Sequence, residues 1–327
     1  MRTARVAVAI AVVWGLFAPT AVAADAPGDE KQLPGAPPSI EPGSVDTPST
    51  ESFSPAGQPG SGYWLADISG QVYGFGSAAH HGAPRDHWAN YPNCAVPGLG
   101  YCDLVIDIEP TPRAGPEATS GDGYWVLDTV GFIWHFGDAP HLGEFQAYTG
   151  DPWMSITATA GGDGLWGFSA TGCVETLGSA PFHGDLCDVP LNAHVVGSAV
   201  TPSGNGYYMV AADGGIFAFG DAAFYGSTGD MRLNQPVTDM VVSPSGRGYW
   251  LVALDGGIFA FGDAPFYGSM GDVALNRPIS GMVASPTGGG YLMVGEDGGI
   301  FSFGDVPFHG SLGGSPPAWP VVSVAAR

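Results

Sequence analysis

Positive charge is nearly missing from this chain. Nine Lys and Arg stand against 31 Asp and Glu, for a net charge of −22, and Lys31 is the only lysine. Nucleic acid and anionic membranes are therefore poor partners, because both are gripped by Lys and Arg that displace counterions. An acidic exported protein kept apart by self-repulsion fits this balance, and a monomer is expected. Long apolar runs are also missing: Val6–Phe17 is too short to span a bilayer and nothing longer follows, so no membrane insertion is expected. Catalytic signatures are lacking too. There is no Gly-x-Ser-x-Gly elbow, no His-Glu-x-x-His, no phosphate loop and no EF-hand. The four cysteines contain no Cys-x-x-Cys pair, which disfavours a zinc site.

The first 24 residues read as a signal peptide. Arg2 and Arg5 give the positive start, Val6–Phe17 the apolar core, and Ala21-Val22-Ala23 the small-x-small cleavage site. Residues 25–60 are rich in Pro, Ser, Gly and acids, with few bulky apolar side chains. Such a segment buries too little surface to offset chain entropy and reads as a disordered linker. The expected location is secreted or extracellular, with cell-wall association in view.

What the rest contains is a repeat. Aligned segments start at Gly62-Tyr63-Trp64, Gly123-Tyr124-Trp125, Gly164-Leu165-Trp166, Gly206-Tyr207-Tyr208, Gly248-Tyr249-Trp250 and Gly290-Tyr291-Leu292, the last four starts being 42 residues apart. In the fifth unit the pattern predicts four short strands: Val237–Ser243, Tyr249–Ala253, Ile258–Phe261 and Phe266–Ser269. Asp255-Gly256-Gly257 supplies the tight hairpin between the second and third. Glycine and proline punctuate the chain too often for a helical solenoid. Nearly all-apolar strands fit sheets covered on both faces, and a period of about 40–45 residues fits propeller blades. The repeat is cut in mid-unit: Val321–Ala325 is a first strand with no follower, and the first unit lacks that strand. We therefore expect residues 61–327 to form an all-β, six-bladed β-propeller of four-stranded blades. Its ring would be closed by the C-terminal strand completing the first blade.

The run Gly-Tyr-Trp-Leu-Val-Ala-Leu-Asp-Gly-Gly-Ile-Phe-Ala-Phe-Gly-Asp-Ala-Pro-Phe-Tyr-Gly-Ser (248–269) resembles a repeat of exported proteins of high-GC Gram-positive bacteria. In those proteins it stands alone or beside cell-wall hydrolase and peptidase domains. The resemblance covers residues 62–327, implies the propeller architecture, and carries over no catalytic residue.

In an exported protein the four cysteines are expected to be oxidised, and the blade pattern favours Cys94–Cys102 and Cys173–Cys187. The hairpins carry Asp67, Asp128, Asp213, Asp255 and Asp297. A ring of carboxylates could attract Ca²⁺, but Asp also opens hairpins by capping its own turn, and that plainer reading is preferred, with no cofactor expected. A second acidic set, Asp138, Asp221, Asp263 and Asp305, precedes the next turn on the opposite face. The insertion Ala83–Asp103 is the best candidate for a binding surface, with Arg85, Asp86, His87, Trp88, Tyr91 and Tyr101 on a loop stiffened by the proposed disulfide. Aromatics on a stiff loop suit a sugar ring or peptide, and they equally suit a lid packed on the first units. The expected function is an exported, non-catalytic binding or scaffold protein for a cell-envelope or extracellular glycan or protein. The alternative is a polysaccharide hydrolase or lyase using carboxylates near the central channel.

Overall fold

A computed structural model describes residues 62–87, 104–112, 121–146 and 150–327. The expected signal peptide and linker, and Trp88, Tyr91, Cys94, Tyr101 and Cys102, lie outside the described residues. Strands β1 (Gly62–Asp67) and β2 (Val72–Gly76) are followed by a single helical turn, α1 (Pro84–His87). Next come β3 (Val105–Pro110), β4 (Tyr124–Asp128), β5 (Ile133–Phe136), β6 (Trp153–Ala158), β7 (Gly164–Ser169) and β8 (Val174–Gly178). They are followed by β9 (Val195–Val200), β10 (Gly206–Ala211), β11 (Ile216–Gly220), β12 (Val237–Val242), β13 (Gly248–Ala253) and β14 (Ile258–Gly262). The last are β15 (Ile279–Ala284), β16 (Gly290–Gly295), β17 (Ile300–Gly304) and β18 (Val321–Ala326). Among the described residues they form six antiparallel three-stranded sheets. Five are consecutive triplets, and the sixth has the order β18-β1-β2.

The middle strands explain the apolar pattern. Every residue of β7, β10, β13 and β16 is buried, because each lies between two sheet partners and beneath the neighbouring sheets. The Gly-Tyr-Trp signature has two separate tasks. Its third residue bonds within the unit: the indole N–H groups of Trp64, Trp125, Trp166 and Trp250 donate to the carbonyls of Ala79, Pro140, Pro181 and Pro265. Its tyrosine bonds between units. The Tyr249 hydroxyl accepts the Tyr225 N–H at 3.1 Å and donates to the Gly226 carbonyl at 2.5 Å. Tyr124, Tyr207 and Tyr291 repeat this with residues 81–82, 183–184 and 267–268. Tyr63 does the same with His309 and Gly310, across 246 residues.

These bonds account for one correction. The fourth strand expected in each unit does not form. Phe266–Ser269 and its counterparts run as irregular chain, and in every unit but the second they are tied to the next sheet through the tyrosine hydroxyl instead of pairing with the third strand. Gly268 holds φ +133°, and a Cβ there would meet the Phe303 ring at 2.6 Å. The same segments turn Phe182, Phe224, Phe266 and Phe308 outward, 58, 61, 61 and 60 % exposed. A regular strand tolerates neither the positive φ nor the close approach.

The first strand of each sheet contacts that of the next, in the order β3, β6, β9, β12, β15, β18 and back to β3. β18 also pairs with β1 along its length, from Val321 opposite Asp67 to Ala326 opposite Tyr63. Cys173, just before β8, is disulfide-bonded to Cys187 in the segment that returns beside it. Among the described residues no helix is long and apolar enough to cross a membrane.

Candidate functional site

Each sheet begins its first strand in the same way. The opening residue (Val105, Trp153, Val195, Val237, Ile279 or Val321) is fully buried. In five of the six, its N–H donates to a hairpin carbonyl of the preceding sheet: Ile68, Ala170, Ala212, Leu254 or Glu296. One residue later every one of these strands bulges, and the register with its partner skips a residue. The skipped residues are Ile106, Met154, Val196, Thr238, Ser280 and Val322. A bulge re-aims its side chain out of the ladder. Here all six side chains wall one cavity of about 590 Å³.

The cavity is regular at its base and irregular at its rim. Pro236, Pro278 and Pro320 stand at equivalent positions before their strands, and the residue preceding each differs: Gln235, Arg277 and Trp319, against Asp151 and Ala193 in two other units. Arg277 and Trp319 both line the cavity. A second break comes from Glu296. Its N–H donates to the Pro278 carbonyl, as those of Ile68, Thr129, Ala170, Ala212 and Leu254 do to the carbonyls of Pro320, Leu104, Pro152, His194 and Pro236. Five units thus place an uncharged residue where the sixth places a carboxylate. Glu296 is half-buried, and burial raises its pKa above the usual carboxylate range, with Arg277 drawing it down and Asp297 pushing it up. Among the described residues no hydrogen bond or ion pair engages the Glu296 carboxylate or the Arg277 guanidinium.

Neither a protein-family model nor a curated protein matches this chain.

Three carboxylates lie further along the inner strands, Asp107 and Asp239 one residue past the bulge and Glu109 three. Asp107 accepts from the N–H groups of Ile108 and of Ile156 in the next sheet, each at 2.9 Å, and from the Ser323 hydroxyl at 2.7 Å. Asp239 does likewise with Met240 at 2.7 Å and Met282 at 2.9 Å. Glu109 accepts the Ala158 N–H at 2.8 Å. Inner strands are sheet edges, so their outward N–H groups need acceptors, and these side chains supply them from the neighbouring sheet. Burial raises all three pKa values, Glu109 to about 8 and Asp239 to about 7; the charge of Asp107 adds to the rise at Asp239. Among the described residues no group of three His, Cys, Asp or Glu is placed to hold a metal ion.

The residues expected from the sequence are distributed differently. Arg85 and His87 sit on α1 with exposed side chains. The His87 ring stacks on Trp134 and Phe136 at 5.8 and 6.0 Å, and the Arg85 guanidinium reaches the Ser69 hydroxyl at 3.4 Å. The described start of the insertion is thus laid onto the first two units. It is not part of the cavity wall.

The five hairpin aspartates are not equivalent, contrary to the sequence alignment. Asp67 and Asp128 are buried at strand ends, each accepting two N–H groups of its own hairpin. Asp213, Asp255 and Asp297 stand two positions later, in the turn, each capping one glycine N–H at 2.9 Å. On the other face Asp138, Asp221, Asp263 and Asp305 accept from hydroxyls of the preceding turn, including Thr111, Thr201, Ser245 and Thr287. All of these carboxylates are committed to the fold. Arg277, Glu296 and Trp319 were legible as variable positions in an otherwise constant frame, but their convergence on one cavity was not.

Proposed function

We propose that this chain is an exported, non-catalytic binding or scaffold propeller that recognises a glycan or protein at the cell envelope, as a monomer and without a cofactor. In this reading the six sheets are blades about one axis, and β18 completes the blade begun by β1 and β2. The cyclic contact order of the inner strands supports this. So does the Tyr63 bond to His309 and Gly310, which has the same form as those between sequential units. The observation that carries the function is the cavity walled by one bulged residue from every sheet, with Arg277, Glu296 and Trp319 at one side of its rim. Its volume lies within the range of about 300–1,000 Å³ common for small-molecule sites. The resemblance to exported Gram-positive repeats agrees in location and offers no catalytic group.

Co-sedimentation of the secreted chain with insoluble peptidoglycan and other polysaccharides tests this, with Ca²⁺ or chelator present and released sugar assayed alongside. Retention without release is expected; failure to bind any of these solids would leave a protein partner as the only form of the reading. A second reading, hydrolase or lyase, draws on the raised pKa values of Glu109 and Asp239, which would keep an acid protonated near neutral pH. Sugar release abolished by Asp239→Asn alone would establish it. Against it stands the structural engagement of each carboxylate with the next sheet's backbone.

A further inference from the structure

We propose that the rim formed by Arg277, Glu296 and Trp319 is a binding site for a short uncharged saccharide, one ring of which stacks on Trp319 while neighbouring hydroxyls bridge Glu296 and Arg277. This rests on the reading of the chain as an envelope-binding propeller and names the ligand class of that site.

The first argument is commitment. Many charged side chains in this protein are engaged by the fold. Asp107 and Asp239 hold backbone N–H groups of the next sheet, Asp255 and Asp297 cap hairpins, Arg247 pairs with Asp263 and Arg327 with Asp122. Glu296 and Arg277 both line the cavity, and among the described residues neither has a hydrogen-bonding or ion-pairing partner. The Glu296 carboxylate is only half-buried and feels the charge of Arg277 without a direct bond to it, so both groups are open to a ligand in the cavity. The Glu296 counterparts Ala170, Ala212 and Leu254 are apolar.

The second argument is the chemistry of the three groups together. A carboxylate accepts, a guanidinium only donates, and an indole face takes flat apolar area. A sugar offers all three complements at once: adjacent hydroxyls that both donate and accept, and a ring face of C–H groups. A peptide recognised by strand addition would need a regular sheet edge, and every inner edge is broken by its bulge at this cavity. Polyanions such as phosphate or uronate polymers meet a protein of net charge −22, with Glu296 and Asp297 beside the one rim arginine. An uncharged saccharide remains.

The experiment is titration calorimetry of the full secreted chain with trimers of β-1,4-N-acetylglucosamine, β-1,4-glucose, α-1,4-glucose and, as the charged control, α-1,4-galacturonate. We expect at least one neutral trimer to bind, and galacturonate to bind more weakly. Trp319→Ala, Arg277→Ala and Glu296→Gln should each weaken binding by about tenfold or more, as expected for the central contacts of a small site. Trp319→Phe should retain part of the affinity, and thermal melts of Arg277→Ala, Glu296→Gln and Trp319→Phe should match the parent. Binding of none of the neutral trimers, or binding indifferent to these substitutions, overturns the proposal. The same variants in the peptidoglycan co-sedimentation separate the two levels. If the parent and Trp319→Ala are retained equally, the rim site is wrong and the wider reading stands; if the parent is not retained, the wider reading fails with respect to peptidoglycan.

Discussion

At the scale of single residues, the tyrosine of each Gly-Tyr-Trp segment shows what one hydroxyl does for this fold. Tyr249 is fully buried, and its hydroxyl serves both Tyr225 N–H and Gly226 carbonyl. Tyr249→Phe leaves both without that partner and should lower stability by about 1–3 kcal/mol, read by urea denaturation of the full chain. Leu165 occupies the same position in the third unit with no hydroxyl, so Leu165→Ala should show only the loss of apolar packing. The inner carboxylates set a pH dependence. Asp107, Glu109 and Asp239 have folded-state pKa values raised above those of the unfolded chain, so the fold holds protons that the unfolded chain has released. Stability from this source is fully present at low pH and is lost as pH rises through about 7 and about 8, the values for Asp239 and Glu109. The exposed Asp163, Asp221, Asp263 and Asp305, lowered by hydroxyl hydrogen bonds, act oppositely: their contribution is present above the unfolded pKa and lost as pH falls through the folded one. Melting temperature should therefore peak at mildly acidic pH and decline toward pH 8. Asp239→Asn should flatten that decline; an unchanged slope would count against the assignment.

At the scale of elements, the bulge matters as much as the strand. One extra residue in each first strand removes six side chains from their ladders, and in doing so builds the cavity wall from otherwise ordinary sheets. The third sheet carries a different device. Cys173 and Cys187, 14 residues apart, clamp the segment that returns beside β8. This unit lacks the tyrosine hydroxyl from Leu165 to residues 142–143, so the clamp secures its other side. Replacing both cysteines by serine should lower stability by about 3 kcal/mol, the loop-closure value for a ring of this size. Faster proteolysis should follow within residues 179–187, read by mass spectrometry of the nicked chain.

At the scale of the whole molecule, the sheet β18-β1-β2 joins residues from opposite ends of the described chain. β18 gives β1 its partner, provides Ser323 to Asp107, and is followed by Arg327, whose guanidinium reaches Asp122 and the Ser77 carbonyl. Ending the chain at Pro320 should leave β1 as a bare edge and turn one sharp melting transition into a broad one with aggregation, seen by calorimetry and gel filtration. A circular permutant makes the complementary test. Arg327 N–H already bonds the Gly62 carbonyl, as Ser243 N–H bonds Gly248 across its turn. Joining Arg327 to Gly62 through a turn like 243–247, and opening the chain at Gly314, should preserve the melting temperature.

How much of this could be read without coordinates follows from the range of the forces involved. The 42-residue phase, the hairpin glycines, the strands expected at 237–243 and 321–325 and found within a residue of those bounds, and the Cys173–Cys187 pairing depend on local spacing and short apolar runs, and the sequence determined them. The fourth strand was misread because Phe266–Ser269 is apolar enough to pair. What prevents it is a positive φ at Gly268 and a tyrosine hydroxyl from another unit, neither visible in a window of neighbours. The hairpin aspartates were misaligned because Asp67 and Asp213 both lie near a hairpin glycine; their two-residue offset, counted from Gly62 and Gly206, and their hydrogen bonds separate a strand end from a turn cap. Arg277, Glu296 and Trp319 were visible one by one, as exceptions to a repeat. Tertiary structure alone brought them to one rim, because a cavity built from one bulged residue per sheet requires all six sheets to be in place.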